Sequence, residues 1–233
     1  MGALWGGLSG AKSAAAQGQR EAPPGRYPVA RFRRAASWLQ TLLRPPAGVG
    51  LLPLEQVIRT NLTPLDPNTA RIHFDASPWG GGAVLFRQGQ PSEFMMTTWS
   101  RSTAATLGEV VGQPGGQTTW EYLTLYLSLL LWGSTFSATG LVIFGDNTGA
   151  LSNAVSLKGK GSLARISREI AWRKVRYAWR FGVSHLPSEA NTLADALSRV
   201  AAPAGSEKKQ FPPELADVTR RGAPDPDSWW QVG

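Results

Sequence analysis

The sequence RIHFDASPWGGGAVLF, residues Arg71–Phe86, contains two strand-like runs joined across the turn PWG at 78–80. The first run, RIHFDAS, carries Asp75 directly after the apolar residue Phe74. An unpaired carboxylate beside a protein core is costly, so it is usually retained only with a partner or a metal ion. We therefore expect other parts of the chain to supply a partner for Asp75.

The composition limits the kinds of site that the chain can build. Its 233 residues suffice for one substantial domain with flanking segments, and an apolar content of 42% is ordinary for a globular protein. The chain has no cysteine, which excludes disulfides and thiolate metal sites. Since there are only two histidines, a metal ion would be held mainly by oxygen ligands.

Charge is distributed unevenly along the chain, whose formal net charge is +8. Residues 71–146 contain 5 acidic and 3 basic residues. By contrast, residues 1–70 contain 3 acidic and 8 basic residues, and residues 147–200 contain 3 acidic and 9 basic residues. An acidic segment between two basic ones fits a carboxylate metal site flanked by surfaces that attract a polyanion. The alternative, a basic surface that only aids solubility, stays open on charge alone.

Four segments are predicted from composition. Residues 1–30, rich in Gly, Ala and Pro, are expected to be disordered, and 31–70 to be a connector with one basic helix at 31–43. Residues 71–200 form the predicted domain, and 201–233 a Pro-rich tail. The most apolar run, at 123–132, is far shorter than the ~20 residues of a bilayer span, so we expect no membrane association and an intracellular location, in nucleus or cytoplasm.

The domain is predicted to have an α/β fold. Strands are expected at 71–77, 81–86, 93–100, 140–146 and 182–186, and helices at 118–132, 147–157, 162–181 and 190–199. Short links between the first three strands favour an antiparallel meander. The result is a five-stranded mixed sheet, three antiparallel strands followed by two more, with helices on its faces.

Three other carboxylates each have an ordinary structural explanation. Glu121 completes a capping box with Thr118, and Asp146 could be the N-cap of the next helix. Asp195 precedes Arg199 by four residues, as in an exposed helical ion pair. Taken singly, these explanations are favoured for all but Asp75.

Taken together, the four carboxylates indicate a metal site. Strand ends and helix starts of such sheets tend to share one ligand-binding edge, where Asp75, Glu121 and Asp146 would meet. Crowded carboxylates resist ionising together, and hard oxygen ligands select Mg²⁺ or Mn²⁺ to relieve that repulsion. Two such ions ~4 Å apart are a recurrent arrangement for phosphodiester hydrolysis.

Two motifs resemble the ribonuclease H domains of retroelement reverse transcriptases. FDASPWGGGAVLF is similar to their first hairpin, with its DAS-x-x-G-x-GAVL pattern, and SHLPSEANTLADALSR (184–199) to their closing H-x-P-G-x-x-N-x-x-ADALSR segment. TTWEYLTLYLSLLLW and FGDNTGAL fall between them in the expected order. The resemblance covers about residues 71–200 and is nearest to DIRS-like or gypsy-like elements.

This resemblance implies a ribonuclease H-like fold and hydrolysis of the RNA strand of RNA–DNA hybrids with two Mg²⁺ ions, or Mn²⁺ in their place. It also implies a longer reverse transcriptase polyprotein, although no Tyr-x-Asp-Asp polymerase motif is present here. His185 matches a loop histidine thought to assist proton transfer or product release, and Ser188 departs from the family's glycine in that loop. The family's metal-binding carboxylates correspond to Asp75, Glu121, Asp146 and Asp195.

A second set of residues is predicted to bind the substrate. Asn191 lies on the same helix face as Asp195, four positions before it. The helix at 162–181 interleaves basic and aromatic residues, which is typical of a surface that contacts a nucleic-acid backbone, although inward aromatics with solvated charges would give the same pattern. The predicted set is Ser77, Asn147, Asn191, Arg165, Arg168 and Lys174.

Two alternative functions are consistent with the same motifs. The first is a non-catalytic nucleic-acid-binding relic that keeps the fold. The second is an integrase or transposase nuclease, whose acidic residues run Asp, Asp, Glu along the chain. Glu121 stands second here, which disfavours the integrase hypothesis.

Overall fold

The computed structural model describes residues 29–44, 50, 69–137 and 139–231. Most of the segment predicted to be disordered, 1–30, and most of the connector at 31–70 lie outside these ranges. Within them, the first helix, α1, spans Val29–Leu43. None of the described helices is both long and apolar enough to pass through a membrane.

One mixed sheet organises the domain. Its strand order is β5-β4-β1-β2-β3-β6. Strands β1, β2 and β3 form an antiparallel meander, β4 and β5 add in parallel beside β1, and β6 adds in parallel beside β3. The predicted α/β class and mixed sheet are confirmed. The strands are β1 Arg71–Ser77, β2 Gly80–Arg87, β3 Gln90–Thr98, β4 Leu141–Gly145, β5 Phe181–His185 and β6 Thr219–Arg221.

The sixth strand corrects the predicted count of five. Strand β6 lies within the segment interpreted as a Pro-rich tail, and Thr219 pairs with Glu93 of β3. It contains three residues, TRR, all of them exposed. A run this short and polar has no period-2 alternation, so only the pairing with β3 makes it a strand.

Helices cover both faces of the sheet. The central helix, α3 (Gln117–Trp132), is almost wholly buried and packs against Ile72 and Phe74 of β1 in the main core, as predicted for its apolar run. On the opposite face, Leu197 of α6 (Thr192–Arg199) packs with Val84 and Phe94. The helices after α1 are α2 Arg101–Leu107, α3 Gln117–Trp132, α4 Thr148–Ser156, α5 Gly161–Arg176 and α6 Thr192–Arg199.

Two helix predictions need correction. Helix α2 was not predicted, although Ser100 caps its start and Gly108 ends it in the left-handed conformation, at φ 68°. Both residues are recognisable capping signals. Helix α5 ends at Arg176, not at Phe181, because Ala178 adopts a left-handed φ of 51°, which a helix cannot contain.

Residues after α6 belong to the folded body. Trp229 is buried in the main core, and its carbonyl oxygen accepts a hydrogen bond from the Tyr126 hydroxyl of α3. The backbone N–H of Gln231 donates to Glu169 of α5 at 2.9 Å. The C-terminal segment therefore packs across the helices as well as adding a strand.

Glycines on β2 allow α6 to lie directly on the sheet. A Cβ atom at Gly82 would stand 2.5 Å from Leu197 Cβ and 2.7 Å from the Ala194 carbonyl oxygen. These distances are shorter than real carbon contacts, so the helix would have to move. Gly82 is thus required by packing, and it determines how closely α6 approaches β2.

We predict that Gly82→Ala lowers the free energy of unfolding by about 1–3 kcal/mol, since it overpacks a backbone contact. The matched control is Gly182→Ala on β5, where an added Cβ has nothing within 4 Å. That control is expected to change stability by at most about 1 kcal/mol, in the stabilising direction. Urea denaturation followed by circular dichroism measures both, and equal effects would contradict the packing argument.

Candidate active site

Two of the four carboxylates are placed by neighbouring parallel strands. His73 of β1 is in register with Phe144 of β4. Asp75 and Asp146 each follow this pair by two residues, so both lie at the carboxyl end of their strand. The parallel pairing therefore brings together two side chains that are far apart in sequence.

The other two carboxylates come from helices. Glu121 stands in the first turns of α3, and Asp195 in α6. One carboxylate oxygen from each of Asp75, Glu121 and Asp146 lies within 4.8 Å of the other two. Asp195 lines the same pocket, of about 270 Å³, without joining this cluster of three. The pocket is lined by Asp75, Gln117, Glu121, Asp146, Asn147, Ser188, Asp195 and Arg199.

The capping explanations for Glu121 and Asp146 are wrong. Helix α3 begins at Gln117, after Gly116, and no side chain caps its start. At the start of α4 the cap is Asn147, whose Oδ1 accepts from the Ala150 N–H at 2.9 Å. Both carboxylates are therefore left for the pocket, and Asn147, predicted to bind substrate, uses its side-chain oxygen to begin a helix.

Three polar side chains that the sequence analysis did not assign hold the carboxylates. Ser198 Oγ donates to Asp75 Oδ2 at 2.6 Å, and Ser188 Oγ to Asp146 Oδ2 at 2.5 Å. Gln117 Nε2 donates to Glu121 Oε1 at 2.9 Å. Helical spacing carried a signal for Gln117, which lies four residues before Glu121. The Ser188 contact depends on a loop, where spacing gives no guide.

One buried oxygen in the pocket is left without a hydrogen bond. Glu121 is 2% exposed, and its Oε2 has no partner among the described residues. A buried carboxylate oxygen without a partner is costly, and a cation would compensate it. The carboxylate oxygens that converge beside it are the ligands that Mg²⁺ and Mn²⁺ prefer. The residues present therefore fit a divalent metal ion.

The pocket disfavours ionisation of its acidic groups. Burial, reinforced by the neighbouring Asp195 and Asp146 carboxylates, raises the pKa of Asp75 to about 7 against the hydrogen bond from Ser198. Burial and the charges of Asp75 and Asp146 raise the pKa of Glu121 well above its usual range. Both effects are those expected where carboxylates are crowded before a cation binds.

Asp195 differs from the other three because it is paired with cations. Arg199 Nε lies 2.6 Å from Asp195 Oδ1, and Lys209 Nζ pairs with Asp195 Oδ2. The predicted helical pair with Arg199 is thus present, but with side chains only 18–20% exposed it is not the exposed pair expected. Asp195 is neutralised by the chain itself.

Two predicted site residues lie near the pocket without lining it. His185 ends β5, is exposed, and is in register with Gly145, the residue before Asp146. Asn191 is 2% exposed, and its Nδ2 donates to the Phe74 carbonyl at 2.8 Å, which ties the start of α6 to β1.

Ser77 and the basic residues of α5 are not brought to the pocket. The Ser77 hydroxyl is fully buried and donates to the Ser198 carbonyl at 2.6 Å. The guanidinium of Arg165 stacks on Trp230 at 4.3 Å, and the Lys174 ammonium lies 4.8 Å from the Phe181 ring. At Arg168 the carbonyl accepts from Trp38 of α1 at 3.2 Å. Helix α5 is thus partly covered by α1 and the C-terminal segment.

Neither a protein-family model nor a curated protein sequence matches the chain. Several solved structures do. Ribonuclease H1 from Halobacterium salinarum NRC-1 shares 20% identity, covering 57% of this chain and 96% of that one, at a TM-score of 0.43. LC11-RNase H1 in complex with an RNA/DNA hybrid shares 17% identity, covering 55% of this chain and 93% of that one, at a TM-score of 0.42. The N-terminal RNase H domain of rv2228c from Mycobacterium tuberculosis shares 16% identity, covering 55% of this chain and 89% of that one, at a TM-score of 0.40.

The assignment of the fold rests on the connectivity of this chain. An antiparallel β1-β2-β3 meander is followed by β4 and β5, parallel to β1 on its other side, with helices in the connections. This is the arrangement that the sequence resemblance implied. The chain therefore has a ribonuclease H-like fold, extended by β6.

We predict that Asp75→Asn stabilises the metal-free protein at pH 8, because it removes a charge that the pocket disfavours. A raised carboxyl pKa gives stability that is present below its ordinary value of 3.8 and is lost as pH rises through about 7. The gain at pH 8 should be at most roughly 4 kcal/mol. The control, Asp217→Asn, removes an exposed carboxylate and should change little.

The pH dependence must be read as a difference between variant and wild type. Burial lowers the pKa of His73 to about 4, so stability due to His73 is lost as pH falls from about 6.5 to 4 and opposes the trend from Asp75. Since both proteins contain His73, its contribution cancels. Thermal unfolding in chelator at pH 4 to 8 should show a gain that grows with pH, and a constant gain would contradict the prediction.

Proposed function

We propose that this chain is a divalent-metal-dependent endonuclease that hydrolyses the RNA strand of RNA–DNA hybrids. The observation that carries the proposal is the convergence of Asp75, Glu121, Asp146 and Asp195 on one pocket from four separate elements. Acidic side chains gathered in one pocket destabilise a fold, and such arrangements occur mainly at functional sites.

The proposed metal ligands are these four carboxylates. Asp75, Glu121 and Asp146 offer the clustered oxygens, with the unpartnered Oε2 of Glu121 among the buried atoms. When bound, Mg²⁺ or Mn²⁺, as two ions, would neutralise the carboxylates and activate water for attack on a phosphodiester. Ser198, Gln117 and Ser188 would keep the carboxylates oriented, as outer-shell partners do in metal sites.

His185 is proposed to assist proton transfer or product release beside the pocket. It is exposed at the end of β5, in register with Gly145, which precedes Asp146. Its imidazole is therefore accessible to a substrate. The resemblance assigns this position to proton transfer or product release. An imidazole can both donate and accept a proton, which suits either role.

The hybrid preference and the retroelement origin rest on the two sequence motifs. By that resemblance the products carry a 3′-hydroxyl and a 5′-phosphate, and the natural partner is the remainder of a reverse transcriptase polyprotein. Recognition would depend on phosphates, groove shape and RNA 2′-hydroxyl groups rather than on base edges. The partly exposed arginines of α5 would contribute only to the phosphate contacts.

Hybrid cleavage is the direct test. Purified protein is incubated with labelled RNA–DNA hybrid, duplex RNA and duplex DNA, in Mg²⁺, Mn²⁺ or chelator. We expect cleavage of the hybrid's RNA strand alone, and only with metal. Asp75→Asn should reduce it by at least about 100-fold, since loss of a ligand exceeds the effect of losing an outer-shell partner. The control is Asp217→Asn, because Asp217 is exposed and is not among the residues that line the pocket.

Other outcomes select the alternatives. Hybrid binding without cleavage at any Mg²⁺ or Mn²⁺ concentration would identify a non-catalytic relic. Transfer of a DNA strand into plasmid DNA would revive the integrase hypothesis. Equal activity of wild type and Asp75→Asn would point to a contaminating nuclease and sink the proposal.

Ser198→Ala should shift the acid limb of the pH–rate profile. The Ser198 hydroxyl lowers the pKa of Asp75, so its loss leaves that carboxyl protonated up to a higher pH. We expect the limb to move upward by about one pH unit at subsaturating Mg²⁺. Ser152→Ala, an exposed serine of α4, should leave the profile in place. A lower rate with an unmoved limb would show a purely structural role.

A further inference from the structure

Asp195 is held by two cations of different origin. Arg199 comes from the same helix, one turn later, and engages Oδ1 at 2.6 Å. Lys209 comes from the segment that follows α6 and engages Oδ2. Both carboxylate oxygens therefore already have positively charged partners, whereas Glu121 Oε2 in the same pocket has none among the described residues.

The segment that carries Lys209 is fastened to the end of α6. Glu207 pairs with Arg199 Nη1, and the backbone N–H of Lys209 donates to the Arg199 carbonyl at 3.5 Å. These contacts direct the lysine side chain to Asp195. Its neighbour Lys208 is exposed and forms no ion pair with that carboxylate among the described residues.

The two cations differ in how readily they can leave. The Lys209 side chain is 49% exposed and the Arg199 side chain 20%. A half-exposed lysine pair contributes little to stability, and the flexible lysine side chain can move into solvent. Lys209 is therefore a weakly held partner of Oδ2 of Asp195, a proposed metal ligand.

We propose that Lys209 acts as a tethered monovalent cation that competes with a divalent ion for Asp195. The pocket would then fill in order: a first ion at Asp75, Glu121 and Asp146, and a second only when Lys209 leaves Asp195. Between turnovers the lysine would limit the repulsion of Asp195 by the other carboxylates. The inference rests on the metal site of the proposed function, but its test needs no nuclease activity.

The test is a Mn²⁺ titration of the full chain without nucleic acid, by isothermal calorimetry and by electron paramagnetic resonance of free Mn²⁺. Lys209→Met should tighten the weaker binding step by about 2- to 5-fold, the range expected for an exposed pair, and leave the tighter step unchanged. Lys208→Met, adjacent and of equal charge change, should leave both steps as in wild type. Lys209→Arg should also behave as wild type.

A double-mutant cycle with Asp195 separates the Lys209–Asp195 interaction from general charge effects. In an Asp195→Asn background, Lys209→Met should no longer alter the weaker step. Identical titrations for Lys209→Met and wild type, equal tightening by Lys208→Met, or no Mn²⁺ binding by any variant would each overturn the inference. Tightening without any hybrid cleavage would leave it standing while the proposed activity failed.

Discussion

Repulsion among buried carboxylates is the constraint on which the pocket depends. Asp75 and Glu121 are almost fully buried, and one oxygen of each lies within 4.8 Å of an Asp146 oxygen. Burial makes each charge more costly, because the low dielectric strengthens repulsion and removes water. The fold holds this arrangement with two neighbouring strands, β1 and β4, and with two helices, α3 and α6, which pack on opposite faces of the sheet. A cation supplies the missing compensation, which is why the pocket is interpreted as a metal site.

The four carboxylates form an asymmetric set. Three are held by neutral donors from Ser198, Gln117 and Ser188, which orient a carboxylate without cancelling its charge. Asp195 alone is neutralised by Arg199 and Lys209. Neutral donors leave the negative charge available to a metal ion, whereas cationic ones oppose it. The C-terminal segment therefore contributes to the electrostatics of the pocket as well as to the sheet and the core.

The basic helix shows what periodicity leaves undecided. The interleaved charged and aromatic residues on α5 fit two interpretations equally well. One is a surface that binds nucleic acid, and the other is a packed helix whose charged face is solvated. In the fold, Trp172 is buried, Arg165 stacks on Trp230, and Arg173 forms a buried pair with Glu169. Glu169 lies on α5 itself, but Trp230 comes from the C-terminal segment, and Trp38 of α1 packs with Trp172. Both of these tryptophans are distant from α5 in sequence. A pattern along one helix carries no information about elements that pack on it from elsewhere.

The sequence by itself determined the mixed α/β sheet, the buried central helix and the identity of the four carboxylates, because strand alternation, apolar runs and motif spacing are local properties. Only the tertiary structure decided that Ser188 and Ser198 donate hydrogen bonds to carboxylates, that residues 219–221 form a strand, and that Lys209 reaches Asp195. Each of these depends on one partner brought close by folding. A single contact between residues far apart in sequence leaves no period, composition or spacing by which it could be recognised beforehand.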